Sequence, residues 1–274
     1  MAMPPPSVAV AFDRPADREA AAELAARLGL PLAKKFRDPH GLHLALTANP
    51  SADEGDARLE LRVVADDHPL RGGHGVMSDL LKLDVTSPAG RSLRTPVLKA
   101  VGVKRGTPRP RVMDVTAGLG EDTWLLAAAG CEVIAVERHP LIHALLTDGL
   151  RRAAKADADT AARITLLPRQ DAMAALRADT PPAPEVVLVD PMFPGERKTA
   201  ERKAMAVLRW IAGDDPDADH LLSPALQAAT RRVVVKRPRA AGPLNGQPPT
   251  VVHGGRGLRF DVYAGADLQP PATP

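Results

Sequence analysis

The chain has 274 residues, 45% apolar and 25% charged, which suits a globular protein built as one large domain or a domain with a smaller companion. Its 36 Lys and Arg against 33 Asp and Glu leave a formal charge of +3, so overall charge does not bind it to any polyanion, and a nucleic-acid site would have to be local. The single cysteine, Cys131, excludes an intramolecular disulfide. No stretch approaches the roughly 20 apolar residues that cross a bilayer. The opening MAMPPPSVAVAFDRP has no basic region before its apolar run, which Asp13 interrupts, and the expected compartment is the cytoplasm.

The first hundred residues alternate short strand candidates with one helix. SVAVAF reads as a strand, ADREAAAELAARLG as a helix stopped by Gly29, and LHLALT and ARLELRVV as two further strands. A short helix and the Pro- and Arg-rich connector in VLKAVGVKRGTPRPR follow, placing a domain boundary near residue 108. The expected organisation is a small N-terminal α+β domain over 1–108 and a second domain over 109–274.

From Arg111 the pattern is regular: strand RVMDVTA, helix DTWLLAAAG, strand CEVIAVE, helix PLIHALLTDGLRRAAK, strand ITLLP, helix AMAALRA and strand VVLVD. Near-continuous apolar strands separated by amphipathic helices predict a doubly wound α/β domain with a parallel sheet covered on both faces. Two helices come next, AERKAMAVLRWIAG and SPALQAATR, the second with Ser223 as N-cap and Pro224 at its first position. RVVVKRP and LRFDVYAG close the domain as two strands joined by a Gly/Pro loop.

The segment DVTAGLGED lies between the first strand of this domain and its helix, where open α/β sheets bind ligands. Gly118 and Gly120 allow a ligand close to the backbone. A dinucleotide would set its pyrophosphate on the helix N-terminus, but Asp114, Glu121 and Asp122 occupy that neighbourhood and repel phosphate. They suit a cationic ligand without phosphate, such as S-adenosylmethionine (SAM), or they merely cap the helix. Glu137, about 20 residues on, stands where a carboxylate reaches the ribose hydroxyls of a bound nucleoside. The loop resembles the first motif of SAM-dependent methyltransferases, and that resemblance gives Asp171, after the third strand, a contact with the adenine amino group.

The fourth strand ends in Asp190-Pro191-Met192-Phe193, predicted to lie beside the first strand and face the same crevice. The turn resembles the Asp/Asn-Pro-Pro-Tyr/Phe motif of methyltransferases that modify exocyclic amino groups of bases, with Met192 in place of the commoner Pro. The lone pair of such an amino group is delocalised into the ring. Acceptance of its two N–H hydrogens by the Asp190 carboxylate and the Pro191 carbonyl would aim the nitrogen at the methyl carbon, while Phe193 stacks on the base, a contact worth on the order of 1–3 kcal/mol.

Together, DVTAGLGEDTWLLAAAGCEVIAVERHPLIHALLTDGL, VVLVDPMFPGERKTAERKAM and RRVVVKRP followed by RFDVYAG resemble the ribosomal RNA small subunit methyltransferase J family, over most of residues 95–265. The resemblance implies a Rossmann-like SAM-dependent methyltransferase sheet, SAM as cofactor, and methylation of N2 of one guanosine in small-subunit (16S) rRNA. It places SAM contacts at Glu121 and Asp122, Glu137 and Arg138, Asp171 and Ala172, and Asp190. Where Glu121 stands the family commonly has a basic residue, and near Asp171 small hydroxyl residues. The basic runs supply candidate phosphate contacts on the rim of the crevice: Arg197, Lys198, Arg202, Lys203, Lys236 and Arg237, or else solvated faces. GGHG at 72–75 reads as a phosphate nest or a loop. His139 and His143 share a helix face, but no third ligand at metal spacing accompanies them. Two other readings use the same features: a nicotinamide-dependent oxidoreductase, which the acid-rich loop disfavours, and a non-catalytic RNA-binding assembly protein.

Overall fold

Short apolar runs and one amphipathic repeat build the first elements. β1 (Val8–Phe12) leads to α1 (Arg18–Leu28), which buries Ala21, Leu24 and Ala25 at helical spacing. Gly29 ends this helix in the left-handed region (φ 64°), its N–H closing onto the Ala25 and Ala26 carbonyls. β2 (Leu42–Ala48) and β3 (Ala57–Val63) complete a three-stranded sheet in which β2 runs parallel to β1 and antiparallel to β3. The computed structural model describes residues 6–33, 41–48, 57–65, 68–87, 89–90, 92–178, 182–192, 203–213, 218–254 and 257–264.

The alternation then proceeds through α2 (Pro96–Val101), β4 (Arg111–Asp114), α3 (Glu121–Ala128), β5 (Glu132–Ala135) and the long α4 (Pro140–Ala156). After α5 (Ala158–Ala161) come β6 (Ile164–Leu166), α6 (Ala172–Arg177) and β7 (Val186–Val189). The chain ends in α7 (Lys203–Ala212), α8 (Leu222–Ala228), β8 (Arg232–Pro238), β9 (Val251–Gly254) and β10 (Leu258–Ala264).

Seven of these strands form one sheet, in the order β6-β5-β4-β7-β8-β10-β9. β4 to β8 are mutually parallel, β10 is antiparallel to β8, and β9 is antiparallel to β10. Because successive strand residues face opposite sides, two cores form. Met113, Val187, Val189, Val233 and Val235 join residues of α6 and α8, while Val112, Val186, Leu188 and Val234 join residues of α2 and α3. Helices therefore cover both faces, as the continuous apolar strands require.

The chain divides into two compact units. The first comprises Met1–Asp79, His139–Arg152 and Gly195–Asp214; the second comprises Leu80–Arg138, Ala153–Pro194 and Asp215–Pro274. This grouping is spatial, whereas a boundary near residue 108 cuts the chain in sequence. Within the first unit, Asp148 Oδ2 accepts hydrogen bonds from the Leu59 N–H of β3 (3.0 Å) and from Arg152 Nε (2.8 Å). Arg152 also donates to the Ser78 carbonyl, and Gly149 lets Ser78 lie against the helix where a Cβ would overlap it.

Two details differ from the sequence reading. The Gly/Pro loop before β10 contains the edge strand β9, whose side chains are mostly exposed and so lack the alternation that marks a half-buried strand. α8 starts at Leu222, directly out of a 3-10 turn over Ala218–Leu221, so Ser223 and Pro224 lie inside its first turn and the N-cap position, Leu221, makes no side-chain cap. The backbone is already turning when it reaches the helix, and no polar cap is needed to start it. Among the described residues, no helix is long and apolar enough to cross a membrane.

Candidate functional site

The central strand β4 ends at Asp114, and the loop that follows turns through Gly118 (φ 57°) and Gly120 (φ 84°) into α3. At both glycines the positive φ disfavours a side chain. Glu137, just beyond β5 and 8% exposed, accepts the Gly118 N–H at 3.0 Å, so the acid of the second strand holds the loop of the first. Asp114 is buried and accepts hydrogen bonds from the Thr123 hydroxyl (2.6 Å) and the Thr116 N–H (3.3 Å). Burial pushes its carboxyl up to about 7. The Thr123 hydroxyl opposes that shift, and the charges of Asp122 and Asp190 add to it.

β7 runs beside β4, with Leu188 opposite Asp114. Asp190 therefore lies just past the strand ends, where its N–H donates to the Thr116 hydroxyl at 2.6 Å and ties the two loops together. On the other side β7 pairs with β8, Val189 opposite Val235, which brings Lys236 level with Asp190. The Lys236 ammonium lies 2.8 Å from Asp122 Oδ2 and 2.9 Å from Asp190 Oδ2. Burial acts to lower the lysine's pKa, but Asp190 and Asp122 outweigh it and hold the group above its usual value.

Sequence reasoning placed Lys236 and Arg237 on a phosphate-binding rim. In the structure Lys236 is occupied between two carboxylates, and Arg237 is only 7% exposed, with Asp261 as the chief electrostatic counterweight to its burial. Neither had a local signal: Val233, Val234 and Val235 are buried on both faces of β8, so no alternation marks Arg237, and the partners of Lys236 lie 114 and 46 positions earlier in the chain.

The other expected residues are more dispersed. Glu121 is half exposed and pairs with Lys82 at 3.3 Å. Asp171 caps α6 by accepting the Met173 N–H (2.8 Å), with Arg138 at 3.9 Å in an exposed pair, and Ala172 is buried in the core. Pro191 is buried and Met192 partly so. Phe193, Arg197, Lys198 and Arg202 lie outside the described residues. Lys203 begins α7 in the first unit, where it donates to the Gly72 and His74 carbonyls. Among the described residues no group of three or more His, Cys, Asp or Glu is arranged to hold a metal.

Four carboxylates, Asp114, Asp122, Glu137 and Asp190, thus border the strand ends around a glycine turn. This donor set fits SAM, which offers ribose hydroxyls, an ammonium and a sulfonium, and it opposes a pyrophosphate. Fold and site together define a SAM-dependent methyltransferase, and the SAM-dependent methyltransferase family model (SAM_MT) matches residues 41–265. A solved SAM-dependent methyltransferase from Neisseria gonorrhoeae superposes with a TM-score of 0.64 at 32% identity, covering 95% of this chain and 97% of that one. Ribosomal RNA small subunit methyltransferase J of Thioalkalivibrio sulfidiphilus (strain HL-EbGR7) is 44% identical over 261 residues, 90% of this chain and 93% of its own. Its namesake from Pseudomonas syringae pv. syringae (strain B728a) is 41% identical over 262 residues, 93% and 91% respectively. The chain belongs to the ribosomal RNA small subunit methyltransferase J family.

Proposed function

We propose that the enzyme methylates the exocyclic N2 amino group of a guanosine in small-subunit (16S) rRNA, in the cytoplasm. Its relatives are named for small-subunit rRNA. The observation that carries the chemistry is the position of Asp190 past the end of β7, its N–H anchored to Thr116 in the loop after β4 and its carboxylate linked through Lys236 to Asp122 in the first turn of α3.

SAM, when bound, supplies a methyl group already activated on a sulfonium. The protein contributes binding and orientation. Glu137 and the backbone around Gly118 and Gly120 hold the nucleoside part, while Asp114 and Asp122 favour the cationic part. Asp190 and the Pro191 carbonyl accept the two N–H hydrogens of the guanine amino group, and Phe193 stacks on the base. A cation beside a carboxylate favours the ionised form, which accepts hydrogen bonds and donates none. Lys236 thereby keeps Asp190 an acceptor and fixes its direction. Orientation of this kind can supply roughly 7–11 kcal/mol of a displacement barrier. Arg197, Lys198, Arg202 and Lys203 follow the catalytic turn and meet RNA phosphates.

Mass spectrometry of small-subunit rRNA from cells with and without the gene tests the reading. Loss of one N2-methylguanosine is expected, restored by the wild-type gene and not by Asp190→Ala. An unchanged modification pattern overturns the substrate assignment.

A further inference from the structure

The first unit carries a basic cleft of about 690 Å³ that plays no part in the methyl-transfer chemistry above. Its floor comes from β3, where Arg58, Glu60 and Arg62 at alternate positions share one face of the strand. Glu60 is 1% exposed, and both arginines converge on it, Arg58 Nη2 at 2.5 Å from one oxygen and Arg62 Nε at 2.9 Å from the other. Burial would raise the Glu60 pKa, but the two guanidiniums outweigh it and hold the group below its ordinary value. The carboxylate thus serves to seat two arginines at the cleft.

The facing wall is the loop from Arg71 to Gly75. Gly72 and Gly73 are both in the left-handed region, φ 84° and 65°, and Lys203 sets its ammonium against the Gly72 and His74 carbonyls. Among the described residues the lining holds four cations, Arg58, Arg62, Arg71 and Lys203, and the carboxylate of Glu60, while Asp13 lies 3.3 Å from Arg62 beside it. Among the described lining residues, Val63 and Val64 alone carry apolar side chains. Guanidinium forks match phosphate oxygens in pairs.

We propose that this cleft holds the phosphate backbone of the substrate RNA strand, an inference that rests on the RNA reading above. The test is the affinity of a labelled short single-stranded RNA at several salt concentrations, for the wild type and for Arg71→Gln and Lys203→Gln. Each variant is expected to bind RNA more weakly and to flatten the dependence of log affinity on log salt by about 0.7 for each phosphate it no longer neutralises, with SAM affinity by calorimetry as in the wild type. Arg71 is exposed, so its variant carries the test if removing the Lys203 ammonium disturbs the loop. A folded Arg71→Gln protein with the wild-type slope overturns the proposal. Pyrophosphate competing with RNA as well as an equal concentration of unlabelled RNA also overturns it, because the cleft would then take a small anion and not a strand. Failure of the substrate reading is seen separately, in an unchanged rRNA modification pattern with the salt slopes of the variants still altered.

Discussion

The strand ends of the seven-stranded sheet and the face of the three-stranded sheet use charge in opposite ways. At the large sheet, Asp114, Asp122, Glu137 and Asp190 crowd around a glycine turn with Lys236 between two of them. At the small sheet, one buried glutamate gathers two arginines beside a glycine loop. In each case a residue of the minority sign bridges two of the majority: Lys236 between Asp122 and Asp190, Glu60 between Arg58 and Arg62. Each unit thus gathers its own local excess of charge, acidic in one and basic in the other, although the chain as a whole is nearly neutral.

The contrast is tested most severely at Asp190. Asp190→Ala should abolish most methyl transfer while the protein folds and still binds RNA with the wild-type salt slope. Near-normal turnover in a single-turnover assay would remove this acid from the chemistry. Glu137→Ala should weaken SAM binding by roughly 1–3 kcal/mol, since it removes charged hydrogen-bond acceptors from the loop and from the ligand. Calorimetry showing wild-type affinity would take Glu137 out of the site.

Lys236→Met sharpens the comparison, because the residue is a cation on the acidic side. Leaving Asp122 and Asp190 without their shared partner should lower stability by about 1.5–3 kcal/mol, and it should reduce kcat more than it weakens SAM binding. Lys236→Arg should recover part of both. The RNA salt slope should stay as in the wild type, and a flattened slope would return Lys236 to the phosphate-binding role first read from the sequence.

Asp114 gives the comparison a pH dependence. Its carboxyl is raised from 3.8 to about 7 by burial, so between those values the folded protein keeps a proton that the unfolded chain has released. The stability from this group is complete below the unfolded value, declines as pH rises, and is gone above about 7. Melting temperature should therefore fall more steeply with pH in the wild type than in Asp114→Asn across that window. Equal slopes would show that Asp114 does not carry the effect. The smallest change is expected at Arg138→Ala: its exposed 3.9 Å pair with Asp171 should be worth less than about 1 kcal/mol in a thermal melt.

Much of this was legible before the structure. The buried residues of α1, its stop at Gly29 and the run Val186–Val189 follow from periodicity and from the conformational freedom of glycine, both local properties. The acids at 114, 137 and 190 could be placed because each ends a strand, and parallel strands in this topology end on one side of the sheet. β9 was not legible, since an exposed edge strand is held by backbone pairing to β10 and needs no apolar pattern. The face that α4 turns to β3 was hidden for a related reason: Asp148 meets the Leu59 N–H across 89 positions of chain.

The sequence by itself therefore determined the order of elements, the glycine turn with its acids and the Asp190-Pro191 turn, because hydrophobic period, turn chemistry and strand-end position are written within a few residues. Only the tertiary structure decided what the charges do. Lys236 and Lys203 both read in sequence as phosphate contacts or solvated cations, yet one is drawn between Asp122 and Asp190 and the other onto the carbonyls of a glycine loop. The partner of a charged side chain is set by which distant backbone the fold brings within about 3 Å of it, and an electrostatic contact that short carries no periodic trace along the chain.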